Sequence, residues 1–194
     1  MTGSELERRS DDFGRFFKSW IQNPLSIGAV APSGRVLAKM MAMNLSPGAR
    51  VVELGAGTGT VTQAILDSGV KPEDLYVVEQ HEGFASMLRR RFPRSPVIQA
   101  DATELAEHVG AIRGCVDYVI SGLPLVLFSS EQKHRLLAQA FEVLRPGGVL
   151  RQFTYGGRCP VGRDLRAKLK VESSLIGIVP LNLPPAFVYR FFRA

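Results

Sequence analysis

Cysteine is scarce in this chain of 194 residues, which contains only Cys115 and Cys159. Two cysteines provide neither a disulfide framework nor the paired spacing that zinc ligands need. This excludes the small secreted domains that depend on disulfides for stability. We expect a protein that binds no metal and works in the reducing environment of the cytoplasm.

Long apolar runs are also missing. The longest one, residues 116–128, is interrupted by Asp117, Gly122 and Pro124, and a membrane-spanning helix needs about 20 apolar residues. The first twelve residues carry four acidic side chains and no apolar run, so we expect no secretory signal. Repeats and low-complexity tracts are absent from the sequence as well, which favours one ordinary globular domain with a core of its own.

Charge of one sign is in surplus. Lysine and arginine together number 24 against 18 acidic residues, which gives a formal net charge of +6. Such a surplus favours anionic partners, and nucleic acid and acidic lipid headgroups are the two obvious classes. The charge alone does not choose between them.

Predicted strands and helices alternate from residue 50 onward. This order predicts a parallel sheet with helices on both faces. Residues 173–179 and 186–192 predict an antiparallel hairpin that closes one edge, and residues 4–48 contain two helical stretches. The predicted fold is therefore α/β and Rossmann-like, with a seven-stranded, mostly parallel sheet behind an N-terminal helical extension. The predicted strands before the hairpin are 50–54, 75–79, 97–101, 116–120 and 148–155, and the predicted helices between them are 60–67, 83–91, 103–112 and 131–144.

A glycine-rich run, Glu-Leu-Gly-Ala-Gly-Thr-Gly at residues 53–59, lies where the first of these strands turns into a helix. Glycines there permit a tight turn and let a ligand approach the backbone, while the helix offers free N–H groups. Glu79 ends the second strand, where a carboxylate can accept ribose hydroxyls, and Asp101 ends the third, where it can accept an adenine amine. Glu53 would repel a pyrophosphate but could hold an ammonium group. The pattern therefore favours a ligand made of adenosine and an amino acid over a dinucleotide, although a plain tight turn and an NAD-type site stay open.

This order of motifs over residues 50–155 resembles that of the class I S-adenosylmethionine-dependent methyltransferases. The resemblance implies that S-adenosylmethionine is the cofactor, with S-adenosylhomocysteine as its product, and that residues 49–194 form the methyltransferase domain behind an extension of residues 1–48. It also implies that Glu53 positions the amino acid through water or Thr60. The further implied cofactor-binding residues are Gly55, Gly57 and Gly59 at the methionine and ribose, Glu79 at the ribose, Gln80 or else His81 along the adenine, Asp101 and Ala102 at the adenine edge, and Ser121.

The acceptor of the methyl group is normally determined by the residues after the fourth strand, which here read Ser-Gly-Leu-Pro-Leu at residues 121–125. Methyltransferases that act on the amine of adenine carry an amide and an aromatic ring in this turn. Both are missing here, which counts against an RNA adenine dimethyltransferase. The carbonyl groups and the single hydroxyl that remain suit a small alkyl amine.

A narrower resemblance extends over nearly the whole chain. Its motifs resemble those of the bacterial phospholipid N-methyltransferases, which convert phosphatidylethanolamine stepwise into phosphatidylcholine. The resemblance implies catalytic roles for Ser121, Gly122 and Tyr155, and a lipid-headgroup site that includes Leu123 and Pro124. We expect Tyr155, or else Tyr189, to face the cationic headgroup, and Arg158 or Arg190 to pair with its phosphate. The motifs are Asn-Pro at 23–24, Gly-Ala-Val-Ala-Pro-Ser at 28–33, the glycine run, the turn at 121–125, Leu-Arg-Pro-Gly-Gly at 144–148, Phe-Thr-Tyr at 153–155 and Asn-Leu-Pro-Pro-Ala at 182–186.

An aromatic cluster at residues 13–21 precedes the predicted domain. On a helical wheel its apolar residues share one arc of roughly 140°, which suits either a helix packed on the protein's own core or an interfacial helix on a membrane. With the family resemblance, we expect a monomer bound peripherally to the anionic inner face of the bacterial cytoplasmic membrane, without nucleic acid. An RNA adenine dimethyltransferase, a non-catalytic lipid-binding protein and a small-molecule amine methyltransferase stay open as alternatives. The predicted membrane-binding residues are Phe13, Phe16, Phe17, Trp20 and Ile21, flanked by Arg15 and Lys18.

Overall fold

The computed structural model of the chain describes residues 32–155, 157–180, 182 and 184–193. The membrane-binding residues predicted from the sequence, Phe13, Arg15, Phe16, Phe17, Lys18, Trp20 and Ile21, lie outside these ranges. The domain boundary predicted after residue 48 stays a prediction. Residues 32–194 form one compact unit.

Seven strands form one mixed sheet in the order β3-β2-β1-β4-β5-β7-β6. The pairs among β1 to β5 are parallel, whereas β7 runs antiparallel between β5 and β6. This confirms the predicted α/β fold with an antiparallel pair at the C-terminus. The strands are β1 Val51–Leu54, β2 Leu75–Val78, β3 Val97–Ile98, β4 Val116–Ser121, β5 Leu144–Tyr155, β6 Glu172–Val179 and β7 Ala186–Phe192.

Helices cover the sheet, with buried apolar side chains in two clusters. One cluster joins β1 and β4 to the long helix after β4, and the other joins the sheet to the first described helix. That long helix begins with a capping box, in which the side chains of Ser129 and Gln132 each accept the other's backbone N–H. The helices are α1 Pro32–Met41, α2 Thr60–Asp67, α3 Glu82–Arg91, α4 Leu105–His108, α5 Ser130–Val143 and α6 Arg163–Leu169.

Four stretches differ from the predicted elements. Strand β3 ends at Ile98 rather than at residue 101, and α6 was not predicted. The helix predicted over residues 103–112 is broken into a 3₁₀ turn at Ala102–Glu104, the short α4 and a second 3₁₀ turn at Gly110–Ile112. Its apolar residues are buried as the pattern predicts, but Gly110 disfavours a continuous helix. Strand β5 begins at Leu144, directly after α5, rather than at Gly148. Gly147, with φ of 76°, takes the left-handed conformation in this segment.

A buried arginine ties α1 to the sheet. Arg151 of β5 is 7% exposed, and its Nη1 donates to the Met41 carbonyl at 2.9 Å and to the Met43 carbonyl at 2.5 Å. These carbonyl groups lie at the C-terminal end of α1, where helices carry partial negative charge. The guanidinium also lies 5.1 Å from the centre of the Tyr118 ring. Arg151 therefore stabilises the end of α1 against β4 and β5.

Within the described ranges, no helix is long and apolar enough to cross a bilayer. The same part of the chain contains no cluster of three or more histidine, cysteine, aspartate or glutamate side chains arranged to hold a metal ion.

Candidate cofactor and acceptor sites

The glycine loop (residues 55–59) connects β1 to α2. Gly55, Gly57 and Gly59 have φ angles of 70°, 54° and 80°, which L side chains rarely adopt. A β-carbon on Gly59 would also come within 2.7 Å of the Phe92 ring. The loop is tied to the neighbouring strand because the Gly55 N–H donates to the Val78 carbonyl at 2.8 Å. The glycines therefore allow a left-handed backbone path and, at Gly59, close packing against Phe92.

Glu79 connects the glycine loop to the loop that follows β2. Its side chain is largely buried, and its Oε2 accepts the Gly57 N–H at 2.9 Å while its Oε1 accepts the His81 N–H at 2.8 Å. A carboxylate has about four lone-pair sites, so each oxygen retains capacity for another donor. The geometry fits the predicted task of accepting ribose hydroxyls.

Glu53 lies in β1 and is almost fully buried, at 1% exposure. Thr62 Oγ1 donates to its Oε2 at 2.6 Å, whereas Oε1 finds no partner among the described residues. Burial, with a smaller contribution from the nearby Glu79 charge, raises the pKa of Glu53 to about 8. A buried carboxylate with one unpaired oxygen fits the ammonium group of an amino acid. Thr60, the partner expected from the sequence, instead lies 3.3 Å from Thr58 between their hydroxyl oxygens.

Asp101 follows β3 and lies beside Gln80. Its Oδ1 accepts the backbone N–H and the hydroxyl of Thr103 at 2.8 and 2.9 Å, and Gln80 Nε2 lies 3.4 Å from Oδ2. Ala102, which is buried, starts the 3₁₀ turn that comes next. The structure thus places the residues predicted for the adenine next to one another, and leaves Asp101 Oδ2 the less occupied oxygen.

The acceptor turn (residues 121–125) follows β4 and touches the glycine loop. The Gly122 N–H donates to the Leu54 carbonyl at 2.8 Å, and Ser121 Oγ accepts the Leu123 N–H at 3.3 Å. The Leu123 side chain rests on Gly55, since a β-carbon there would lie 2.6 Å from Leu123 Cδ2. The predicted cofactor and acceptor segments are therefore in van der Waals contact.

The two tyrosines predicted for the headgroup pack in different layers. Tyr155 ends β5 and packs with the apolar cluster that includes Met41, whereas Tyr189 of β7 packs with the cluster that includes Phe141. The Tyr155 ring meets the Phe153 ring edge-on with 5.5 Å between centroids, and its hydroxyl hydrogen-bonds Asn182. Burial raises the pKa of both tyrosines. Tyr155 and Tyr189 therefore stay separate alternatives for the ring that faces the headgroup.

The two arginines predicted for a lipid phosphate are not brought together. Arg158 is exposed in the segment after β5. Arg190 lies within β7 opposite Arg151, and its Nε donates to Ser174 Oγ at 2.7 Å. Its guanidinium stands 5.3 Å from the centre of the Phe192 ring. Arg190 thus already has partners on its own hairpin.

Gln152 contacts the acceptor turn although no sequence motif indicated it. It is fully buried in β5, and its Nε2 donates to the carbonyl groups of Leu123 and Phe153 at 2.8 and 2.7 Å. No local signal marked it, because β5 also carries the polar residues Arg151 and Thr154, and only the strand register shows that Gln152 lies beside Ser121.

Comparisons with known proteins agree with this geometry. Residues 51–148 match the family described as a methyltransferase domain. An ornithine lipid N-methyltransferase from Singulisphaera acidiphila is 33% identical, over 92% of this chain and 94% of the relative. A demethylmenaquinone methyltransferase from Paenarthrobacter aurescens is 25% identical, over 97% of this chain and 74% of the relative.

The solved structures show the same fold. The 1,6-didemethyltoxoflavin-N1-methyltransferase of Burkholderia thailandensis, determined with S-adenosylhomocysteine bound, superposes with a TM-score of 0.68 at 15% identity, covering 100% of this chain and 92% of that one. The glycine loop, the two acidic residues after β2 and β3 and the unpaired Glu53 oxygen fit S-adenosylmethionine as cofactor. The chain belongs to the class I S-adenosylmethionine-dependent methyltransferases.

Proposed function

We propose that the protein methylates the amine of a membrane lipid headgroup, acting on phosphatidylethanolamine and its methylated intermediates on the way to phosphatidylcholine. The observation that carries this proposal is the likeness to a lipid N-methyltransferase over almost the full length of both chains. The acceptor turn supports it, because residues 121–125 lack the amide and the aromatic ring that a planar base requires.

When bound, the cofactor would supply a methyl group on a sulfonium: the amine nitrogen would bond to the methyl carbon in line as the carbon–sulfur bond breaks and S-adenosylhomocysteine leaves. The protein's task is therefore mainly to align the amine with that methyl group. Contact between the acceptor turn and the glycine loop brings the two binding segments together. An alkyl amine is mostly protonated at neutral pH, so it must first give a proton to water or to the acidic group of its own headgroup. The proposal assigns the orientation of the neutral amine to carbonyl groups of the turn and to the hydroxyl of Ser121, a residue that is buried in the structure without ligands.

A second candidate acceptor is an ornithine lipid, favoured by the name of the relative from Singulisphaera acidiphila. Ornithine also offers a primary alkyl amine, but its own acidic group is a carboxylate rather than a phosphate. Both acceptors share an amine on a membrane-embedded molecule. The exposed Arg158 suits either anion.

The proposal places the enzyme on the inner face of the cytoplasmic membrane as a peripherally bound monomer. The chain has 24 basic and 18 acidic residues, and this net positive charge supports attraction to anionic lipid. The aromatic-rich segment with Phe16, Phe17 and Trp20 is the proposed contact with the bilayer. Electrostatic attraction and aromatic insertion together form the two signals that stable peripheral binding needs.

Expression in a bacterial host that lacks phosphatidylcholine tests this function. We expect thin-layer chromatography to show methylated ethanolamine lipids or phosphatidylcholine, or a methylated ornithine lipid where the host makes ornithine lipids. A Glu79→Ala variant, which removes the carboxylate that holds the Gly57 N–H, is the inactive control. Label from methionine appearing in total RNA or soluble amines, with none in lipid, would overturn the proposal.

A further inference from the structure

Gln152 occupies the centre of the described site although the sequence motifs do not include it. It pairs with Ser121 of β4 on one side and with Tyr189 of β7 on the other. Its side chain is completely buried. The amide nitrogen reaches the Leu123 carbonyl in the acceptor turn at 2.8 Å and the Phe153 carbonyl at 2.7 Å.

The orientation of this amide follows from its neighbours. Two carbonyl oxygens lie on one side of it, and only the NH₂ group can donate to both. Its Oε1 must then point the other way, where the part of the chain that the structure describes offers it no donor. A buried acceptor without a donor is unfavourable. An apolar residue would serve better if Gln152 only filled space, so its value lies in what the NH₂ group holds.

The NH₂ group holds the acceptor turn from the β5 side. On the β1 side, the Gly122 N–H is bound to the Leu54 carbonyl at 2.8 Å. The Leu123 carbonyl that Gln152 contacts also accepts the Leu125 N–H at 2.9 Å, which closes the turn. The turn is thus fixed between β1 and β5, with the Leu123 side chain pressed on Gly55.

We propose that Gln152 is a positioning residue for methyl transfer, whose amide hydrogens hold the Leu123 carbonyl and so fix the acceptor turn against the glycine loop. The turn would otherwise be free to shift away from β5 while remaining bound to Leu54. The expected effect on the methylation rate rests on the proposed function. The expected effect on the position of the acceptor turn does not.

Hydrogen exchange measures the structural half of this proposal in the full chain. In Gln152→Leu we expect the amides of Leu123, Leu125 and Leu127 to exchange roughly tenfold faster or more, because the turn opens more often. The melting temperature should stay within about 4 °C of the wild type, since the unpaired Oε1 is lost together with the two hydrogen bonds. Unchanged exchange in these amides would overturn the proposal, whatever the substrate is.

Turnover on lipid vesicles measures the functional half. For Gln152→Leu we expect kcat to fall roughly tenfold or more, as misplacement of a reacting group by about 1 Å can cause, while the dissociation constant of S-adenosylmethionine stays within about threefold. Thr154→Val is the matched control. It removes a buried polar group from the same strand, one whose hydroxyl contacts the Tyr155 carbonyl rather than the turn, and it should keep wild-type kcat.

Gln152→Glu adds a second measurement, the pH dependence of kcat, which would not change if Gln152 only filled space. A neutral carboxyl can still donate to one carbonyl, whereas an ionised one would face two carbonyl oxygens with no hydrogen to give. The kcat ratio of this variant to the wild type should therefore fall as the pH rises. A ratio that is independent of pH would contradict the proposal. Wild-type protein that fails to methylate lipid would refute the proposed function instead, and the exchange data would still decide the role of Gln152.

Discussion

Gly122 lies so close to Gly55 that a β-carbon on Gly122 would come within 2.9 Å of the Gly55 carbonyl oxygen. The Gly122 N–H simultaneously donates to the Leu54 carbonyl at 2.8 Å. The acceptor turn is thereby in direct contact with the glycine loop. In-line transfer between two ligands needs this kind of fixed separation.

Gly122→Ala should disturb this contact. No strain in φ is expected at this position, so the effect comes from the clash with the Gly55 carbonyl, which must move away. We expect a loss of about 1–3 kcal/mol in the free energy of unfolding, as for overpacking elsewhere, and weaker binding of S-adenosylmethionine by calorimetry. Gly110→Ala is the matched control, because a β-carbon there meets nothing within 4 Å. Equal behaviour of the two variants would show that the contact is unimportant.

Glu53 should make the stability of the unliganded protein depend on pH. Its pKa is raised from 4.5 to about 8 by burial, so the folded protein binds its proton more tightly than the unfolded chain does. The stabilising contribution is complete below pH 4.5 and is lost as the pH rises through about 8, with a slope of at most about 1.4 kcal/mol per pH unit.

Urea unfolding of wild type and Glu53→Gln at pH 5, 6.5 and 8, all without cofactor, checks this titration. The wild type should lose stability relative to the variant as the pH rises, because glutamine does not ionise. Parallel pH profiles for the two proteins would mean that Glu53 does not titrate in this range.

Tyr155 should contribute to kcat/KM through its ring rather than through its hydroxyl. A cation near an aromatic face gains about 0.5–2 kcal/mol, which corresponds to roughly 2- to 30-fold in kcat/KM. We expect Tyr155→Leu to lose this factor, most clearly with the partly methylated lipids whose cation is larger. Tyr155→Phe, which keeps the ring and gives up the Asn182 hydrogen bond, should stay near wild type. A loss shared equally by both variants would point to the hydroxyl instead.

Phe16, Phe17 and Trp20 should determine membrane attachment. Replacing all three by serine removes the proposed apolar contact, so co-sedimentation with anionic phosphatidylglycerol vesicles should fall sharply. At about 100° per residue Asp11, Asp12 and Ser19 fall opposite the apolar arc of the predicted helix. The control is therefore the triple variant Asp11→Asn, Asp12→Asn and Ser19→Ala, which should sediment at least as well as the wild type. Undiminished sedimentation of the serine variant would refute the anchor.

The sheet could be predicted from the sequence because its signals are local. Apolar runs that end in glycine or acidic residues determine β1, β2 and β4, and the Pro-rich link at residues 180–185 separates β6 from β7. Helix α6 was missed, because Arg163–Leu169 carries only Leu165 and Leu169 as large apolar residues and leaves most of its surface exposed. A helix so polar depends on tertiary contacts that no short window contains.

Some residues of the candidate site could likewise be predicted from the sequence, and others could not. The glycine loop, Glu79 and Asp101 follow from strand ends and residue type. The Thr62 partner of Glu53 and the Gln152 contact with Leu123 do not, because they join residues 9 and 29 positions apart through burial and strand register. Side-chain hydrogen bonds between distant segments appear only once the sheet order is known.

Methyl transfer to lipid vesicles by the purified full-length protein tests the central claim most directly. Labelled S-adenosylmethionine is supplied together with vesicles of phosphatidylethanolamine and phosphatidylglycerol, and parallel reactions contain ornithine lipid in the same vesicles, total RNA or free ethanolamine. The account predicts label in the lipid fraction, abolished by Glu79→Ala, and little label in RNA or free ethanolamine. Label confined to RNA or to the soluble amine, with none in either lipid, would contradict it.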